Sequence, residues 1–153
     1  MPTAWRIVKA KLTEQAFDGE GARLYGGRWN SPGISVVYTS ESIALAVLEI
    51  LVHLADQETL QSYRLGSAEF DDSLLETLDP TRLPKSWRNS PAAAGLQQIG
   101  NDWIAGGSAA ILQVPSVITG ERESNYLLNP WHPEFAAIEL QQPEPFWLDP
   151  RLR

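Results

Sequence analysis

The chain has 153 residues, 43% hydrophobic and 20% charged, a size and composition typical of one folded domain that exclude a fibrous, collagen-like or disordered protein. Nineteen acidic against twelve basic side chains give a net charge of −7, which repels phosphate backbones and acidic lipid, so we expect no direct nucleic-acid or membrane binding. The sequence has no cysteine, no secretory signal and no apolar run of the roughly 18 residues that a transmembrane helix needs, so we expect a cytoplasmic protein.

The first third of the chain predicts two strands and one helix. Alternating side chains predict a strand over residues 4–9, and a β-rich run predicts a buried strand over 34–39. Ser40 is the predicted N-cap of a helix that runs to about Ala55. The glycine-containing stretches between these elements, residues 18–21 and 25–33, are predicted loops.

The rest of the chain predicts strands and helices in irregular order. They are strands at 63–65 and 68–70, a short helix at 72–78, a loop at 79–84, a helix capped by Ser90 and ended by Gly106-Gly107, a strand at 109–114, a long polar loop at 116–133 with a functional role, a strand at 135–140, and an edge strand within 143–150. Irregular interleaving without an internal repeat favours an α+β fold in a single domain over residues 1–153.

One carboxylate stands out in the predicted helix. Of the twelve residues from Ile43 to Leu54, all are Ile, Ala, Leu or Val except Glu49 and His53, a composition that predicts a helix buried on all sides. Burying a carboxylate is costly unless it is paired or hydrogen-bonded, so Glu49 needs a partner or a chemical function. A one-turn pair with His53, or a salt bridge to an arginine, is an equally good structural explanation.

Other polar side chains could bind a ligand or serve the fold. Arg28 follows two glycines, where the backbone allows close approach and a guanidinium can fork onto phosphate or carboxylate; alone, it could equally be an exposed turn residue. Tyr38 ends the predicted strand and could stack on a planar ring or belong to the core. Ser116 and Asn125 lie in or beside the long loop and could bond a ligand or stabilise a turn.

Several familiar sites are missing from the sequence. It contains neither a G-x-G-x-x-G motif nor a Walker A lysine motif, which excludes the two standard phosphate-binding loops. It has only two histidines, His53 and His132, in no metal-binding spacing, so we expect no metal. It also lacks the G-x-S-x-G turn of serine hydrolases.

Taken together, five segments resemble the RES domain family. They are Trp5-Arg6-Ile7, the run from Leu24 to Gly33 that contains Gly26-Gly27-Arg28-Trp29-Asn30, Val37-Tyr38-Thr39-Ser40, the helix from Leu45 to Leu54, and Val114-Pro115-Ser116. The family takes its name from an arginine, a glutamate and a serine, which match Arg28, Glu49 and Ser116. The resemblance implies a fold similar to that of ADP-ribosyltransferases and the role of toxin in a type II toxin–antitoxin pair with an Xre-like antitoxin.

The activity that the resemblance implies is destruction of NAD by phosphorolysis or hydrolysis of the nicotinamide–ribose bond. NAD is then the substrate, inorganic phosphate is a possible co-substrate, and no cofactor is needed. A carboxylate stabilises the oxocarbenium charge that develops on the ribose, and an arginine holds the pyrophosphate. The expected catalytic residues are Arg28, Tyr38 and Glu49, and the expected substrate-binding residues are Arg6, Trp29, Ser116 and Asn125.

Two other functions fit the same residues. The chain could transfer ADP-ribose to a protein from the same pocket, or it could be a non-enzymatic binding module in which Glu49 and Arg28 are structural. The family resemblance also implies a homodimer within the antitoxin complex.

Overall fold

The computed structural model of the chain describes residues 1–53 and 62–152. Within these ranges the chain forms eight strands in one sheet, three α-helices and several short 3₁₀ turns. The strands are β1 (Thr3–Lys9), β2 (Val37–Ser40), β3 (Tyr63–Glu69), β4 (Leu75–Thr77), β5 (Ile111–Pro115), β6 (Ser124–Leu128), β7 (Glu139–Leu140) and β8 (Glu144–Phe146), and the helices are α1 (Glu20–Tyr25), α2 (Ile43–Val52) and α3 (Ala94–Gly106). The predicted α+β fold in a single domain is confirmed.

The sheet is mixed, in the order β4-β5-β6-β2-β1-β3-β7, with β8 also paired to β3. Only β4 and β5 run parallel to each other. At the centre, β1 and β2 share one register pair, Trp5 opposite Ser40, and then diverge. Where they diverge, Nη1 of Arg6 donates to the Tyr38 carbonyl at 2.8 Å, so a side chain replaces a ladder hydrogen bond.

Alternation along the strands separates two faces of the sheet. Tyr126 and Leu128 of β6 pack on one face with Val37, whereas Leu127 packs on the other face with Trp29. Helix α3 covers this second face through three apolar side chains, Leu96, Ile99 and Trp103. Asn125 precedes Tyr126, so it lies on the α3 side of the sheet.

Helix α2 packs on the same side, against β1 and β2. The Ser42 hydroxyl accepts the Leu45 N–H at 3.0 Å and caps the helix, so the assignment of the cap to Ser40, which lies within β2, was wrong. Leu45 is buried, but Leu48 is 40% and Val52 is 62% exposed. The predicted burial on all sides was therefore also wrong, because the helix rests on the sheet along one side only. Ala55, the predicted end, lies outside the described residues.

Several other predicted elements differ from the structure. The predicted long loop at 116–133 contains β6, and the predicted helix at 72–78 is a 3₁₀ turn over Asp72–Leu74 followed by β4. These strands are short, and pairing with β5 stabilises both of them.

Other predicted elements differ in their bounds. The predicted buried strand at 34–39 is β2 at Val37–Ser40, and the predicted strands at 63–65 and 68–70 form one strand, β3. Helix α1 starts within the predicted loop at 18–21, α3 starts at Ala94 without a cap from Ser90, and a 3₁₀ turn over Pro133–Ala137 takes the place of the first half of the strand at 135–140.

The C-terminal edge strand is confirmed, since β8 pairs antiparallel with β3. Within the described residues, no helix has both the length and the apolar character needed to cross a membrane.

Candidate active site

Arg28 and Trp29 form the tip of a tight turn between Gly27 and Asn30. The Gly27 N–H donates to the Asn30 carbonyl at 3.0 Å, and the Asn30 N–H donates back to the Gly27 carbonyl at 3.5 Å. A Cβ at Gly27 would lie 2.6 Å from the hydroxyl oxygen of Tyr38, so the close approach of the Tyr38 side chain favours a glycine there. The two hydrogen bonds of the turn thus fix the backbone position of Arg28.

The fully buried Asn30 holds the turn from inside. Its Nδ2 donates to the carbonyls of Ala22 at 2.9 Å, Ser31 at 3.1 Å and Ile34 at 3.0 Å. Its Oδ1 accepts the Tyr38 hydroxyl at 2.6 Å. Sequence reasoning gave Asn30 no function of its own; an asparagine among turn residues was the available signal.

Tyr38 connects the turn to the sheet. Its hydroxyl oxygen accepts the Trp29 N–H at 3.0 Å while its proton goes to Asn30. Burial raises the pKa of Tyr38, and the bond from Trp29 and the charge of Arg28 offset this only in part. The hydroxyl is therefore neutral at physiological pH and fully engaged in holding the turn.

The Arg28 side chain is half-buried and reaches the segment before α3. Its Nη1 donates to the carbonyl of Trp87 at 3.2 Å and to that of Asn89 at 2.9 Å. Within the part of the chain that the structure describes, these are the hydrogen bonds that its guanidinium makes, so the edge formed by Nε and Nη2 is available to an anion. A guanidinium oriented by two carbonyls can bind a phosphate by donating hydrogen bonds from that edge.

Glu49 lies half-buried on α2. Burial raises the pKa of this carboxyl group above its ordinary value, while the nearby Asn125 amide and the positive charges of His53 and Arg28 act in the opposite direction. Because burial has the largest effect on this pKa, Glu49 is a carboxyl group with little access to water and with polar groups nearby.

Asn125 lies on β6, near Glu49. Its Nδ2 donates to the Thr39 carbonyl at 3.2 Å and to the Ser40 hydroxyl at 3.2 Å, both on the neighbouring β2. These contacts fix the amide against β2. The structure thus brings together Arg28, Glu49 and Asn125 from three separate parts of the chain.

Three other predicted site residues lie outside this group. Trp29 is 2% exposed and packs in the core under α3, so neither face of its ring is open to a ligand. Ser116 is fully buried, and its hydroxyl accepts the Ile118 N–H at 3.2 Å. It lies two residues beyond Val114, which is the register partner of Asn125.

Arg6 is the third predicted site residue outside this group. Its side chain leaves β1 on the same side as that of its register partner Gly66, where Phe17 packs. Ile7, the next residue, points to the opposite side and packs with α2. Burial lowers the pKa of Arg6, and the nearby Asp18 carboxylate offsets this in part. Its fixed contact is the Tyr38 carbonyl between the strands.

The segment that binds Arg28 is linked to the loop after β5. The Arg88 guanidinium lies 5.2 Å from the centre of the Trp87 ring, and its Nη2 is 2.6 Å from a carboxylate oxygen of Glu121. Both charged side chains are more than half exposed, so the pair adds little to stability. It does join two loops beside Arg28.

Two open surface cavities lie elsewhere. One of about 420 Å³ is lined by residues 13–14, 16–18 and 140–143, and one of about 460 Å³ by residues 62–64, 145–148 and 150. Neither is lined by Arg28, Glu49 or Asn125, so we place the candidate site on its chemistry, not on the depth of a cavity. Among the described residues, no cluster of three or more His, Asp or Glu side chains is arranged to hold a metal ion.

The sequence profile of the RES domain matches residues 3–149. The chain belongs to the RES domain family. Two relatives of this RES domain protein match over nearly their whole length. A protein named Toxin Res from Yersinia enterocolitica is 40% identical over 97% of this chain and 98% of its own length. A protein named Prs ADP-ribosylating toxin from Sphingobium sp. is 38% identical over 97% of this chain and 94% of its own length.

Among solved structures, the RES domain chain is similar to one from the MbcT–MbcA toxin–antitoxin complex of M. tuberculosis. The TM-score is 0.76 with 22% identity, over 99% of this chain and 86% of the other. At that identity the similarity establishes the shared fold.

Proposed function

We propose that this RES domain chain is the toxin of a toxin–antitoxin pair and that it degrades NAD by cleaving the bond between nicotinamide and ribose. The observation that carries the proposal is Glu49, a half-buried carboxylate on an apolar helix, with the Asn125 amide beside it and the positive charge of Arg28 acting on it. A purely structural Glu49 would need a polar partner. It would not need a nearby arginine whose Nε and Nη2 can bind an anion.

The chemistry follows from the charge that develops in the reaction. When the C–N bond breaks, its electron pair leaves with the nicotinamide nitrogen and the ribose takes on oxocarbenium character. An ionised Glu49 in a poorly solvated place stabilises that positive charge more strongly than it would in water. Asn125 keeps the carboxylate oriented for this contact.

Arg28 holds the other half of the substrate. The edge formed by its Nε and Nη2 fits a phosphate oxygen pair, while the carbonyls of Trp87 and Asn89 fix the direction of the guanidinium. A water molecule or inorganic phosphate then forms the new C–O bond at the ribose and gives up a proton to solvent. The reaction relies on positioning and electrostatics and needs no covalent protein intermediate.

The names of the relatives support this proposal. Toxin Res is a toxin by name, and the Sphingobium relative is named for ADP-ribosylation, a reaction that breaks the same bond of NAD. The similar solved structure is a toxin–antitoxin complex, which supports an antitoxin partner for this chain. We propose that the partner is Xre-like, that the complex contains a homodimer of this chain, and that both act in the cytoplasm.

The test is product identification. Purified chain is incubated with NAD, with and without inorganic phosphate, and the products are identified by mass spectrometry. Release of nicotinamide with ADP-ribose indicates hydrolysis, and release with phosphorylated ADP-ribose indicates phosphorolysis. No loss of NAD under either condition, from a folded chain, would refute the enzymatic proposal and leave a non-enzymatic binding module.

The alternative is transfer of ADP-ribose to a protein, which the name of the Sphingobium relative favours. NAD labelled in its adenosine half distinguishes the two reactions. Label that stays in small soluble products indicates degradation, and label that precipitates with protein indicates transfer.

The toxin role has its own test in cells. Because loss of NAD starves the cell that makes the enzyme, expression of the chain alone is expected to arrest growth, and a co-expressed Xre-like antitoxin is expected to restore it. Harmless expression of a folded chain that consumes NAD in vitro would contradict the toxin role. Mass measurement of the purified complex tests the homodimer.

A further inference from the structure

One face of α3 contacts the turn that carries Arg28. Gln97, Gly100 and Asn101 are spaced by three and four positions, so they lie on the same side of the helix. Gln97 and Gly100 contact the turn itself, and Asn101 contacts Ser31, the residue after it. Sequence reasoning assigned no role to any of the three.

Gln97 binds both ends of the turn. Its Nε2 donates to the Gly27 carbonyl at 2.9 Å and to the Asn30 carbonyl at 3.1 Å. A primary amide nitrogen carries two hydrogens, so one side chain satisfies both contacts. The same two carbonyls accept the backbone hydrogen bonds that close the turn, so Gln97 reinforces the closure from outside.

The two other residues hold the tip and the exit of the turn. A Cβ at Gly100 would lie 1.7 Å from the Trp29 carbonyl oxygen, so the turn rests directly on the backbone of α3. Asn101 accepts the Ser31 N–H at 3.0 Å and donates to the Ser31 hydroxyl at 2.9 Å. The Arg28 backbone is therefore fixed against a rigid helix whose own apolar side is in the core.

We propose that Gln97 is a positioning residue that sets the direction of Arg28 by holding both ends of its turn. The proposal rests on the proposed function, in which Arg28 binds the pyrophosphate of NAD. Among the described residues, the Gln97 amide donates to the two carbonyls of the turn and to no other group, so its loss should shift the turn and leave the sheet and the core in place.

The test replaces Gln97 by methionine, which has similar length and no N–H donor. The matched control is Gln98→Met, one residue along the same helix, where the wild-type amide donates to the exposed Asp102 carboxylate at 2.7 Å. We expect Gln97→Met to reduce kcat/KM for NAD by about tenfold, mainly through KM, because small displacements of a binding group are costly. Gln98→Met should leave both constants unchanged.

A double-mutant cycle separates positioning from general weakening of the fold. If Gln97 acts through Arg28, adding Gln97→Met to Arg28→Lys should produce little further loss of kcat/KM. Gln97→Lys, which restores N–H donors on a side chain one bond longer, should bring KM most of the way back to the wild-type value. Fully additive losses, or an equal loss in the Gln98→Met control, would overturn the proposal.

Hydrogen exchange tests the contact independently of NAD. The amides of residues 27–31 should exchange faster in Gln97→Met than in wild type, and those of β2 should not. If wild type consumes no NAD, the proposed function fails while this measurement still decides whether Gln97 holds the turn. If Gln97→Met does not fold, Gln97→Glu, which keeps the shape but removes the donor, takes its place; unchanged exchange in the turn of a folded variant would refute the role.

Discussion

Replacing Glu49 by glutamine separates catalysis from structure in one variant. Glutamine keeps the shape and a carbonyl oxygen that can face the Asn125 amide, but it loses the negative charge. If that charge stabilises the oxocarbenium-like transition state, turnover should fall by about 10²-fold or more, the scale for removing one electrostatic stabiliser. The measurement is NAD consumption by the folded protein.

The structure also sets the size of the stability change. Arg28 keeps its two carbonyl partners when Glu49 is neutral, so no charge is stranded in the core. Burial disfavours the ionised carboxylate, and Asn125, His53 and Arg28 offset this in part. The net change should therefore lie within about 1 kcal/mol of zero, on the stabilising side, after allowance for partial exposure.

A buried structural ion pair predicts a different result. Breaking such a pair costs about 3 kcal/mol or more. For a domain of this size that lowers the melting temperature by about 6 to 12 °C. Thermal melts are recorded together with the kinetic assay. Gln98→Met is the control variant, for which neither the melting temperature nor the activity should change. A Glu49→Gln variant that melts much earlier yet keeps its specific activity would refute the catalytic assignment.

Three further predictions concern the same site. Because burial raises the pKa of Glu49 in the folded chain, its contribution to stability is fully present below the unfolded value of about 4.3 and is lost as the pH rises through the folded value. The melting temperature of Glu49→Gln should therefore rise relative to that of wild type only as the pH rises from that acid range towards neutrality. A difference in melting temperature that does not change with pH would contradict this. Arg28→Lys should raise KM for NAD with the melting temperature nearly unchanged, because lysine lacks the forked geometry; unchanged kinetics would remove Arg28 from the site. Tyr38→Phe should cost about 1 to 3 kcal/mol in denaturant unfolding, because the Trp29 N–H and the Asn30 side chain lose a buried partner, and an unchanged midpoint would contradict that role.

Local patterns in the sequence determined much of the fold and one part of the site. Alternation along residues 4–9 located β1, and the apolar run after residue 42 located α2 and set Glu49 apart as a carboxylate in need of partners. Each of these features depends on residues close together in the chain. Sequence alone can report them, because side-chain periodicity is a local property.

The tertiary structure decided which partners those residues have. The strand at 124–128 was hidden within a predicted loop because its stability comes from pairing with β2 and β5. Trp29 was expected to face the substrate, but α3 covers it. The contacts from Gln97 to Gly27 and Asn30 join residues about 70 positions apart, and no local pattern specifies which distant carbonyl an amide will meet. Such choices depend on how the whole chain packs, so the sequence supplied the chemical groups of the site and the fold determined their arrangement.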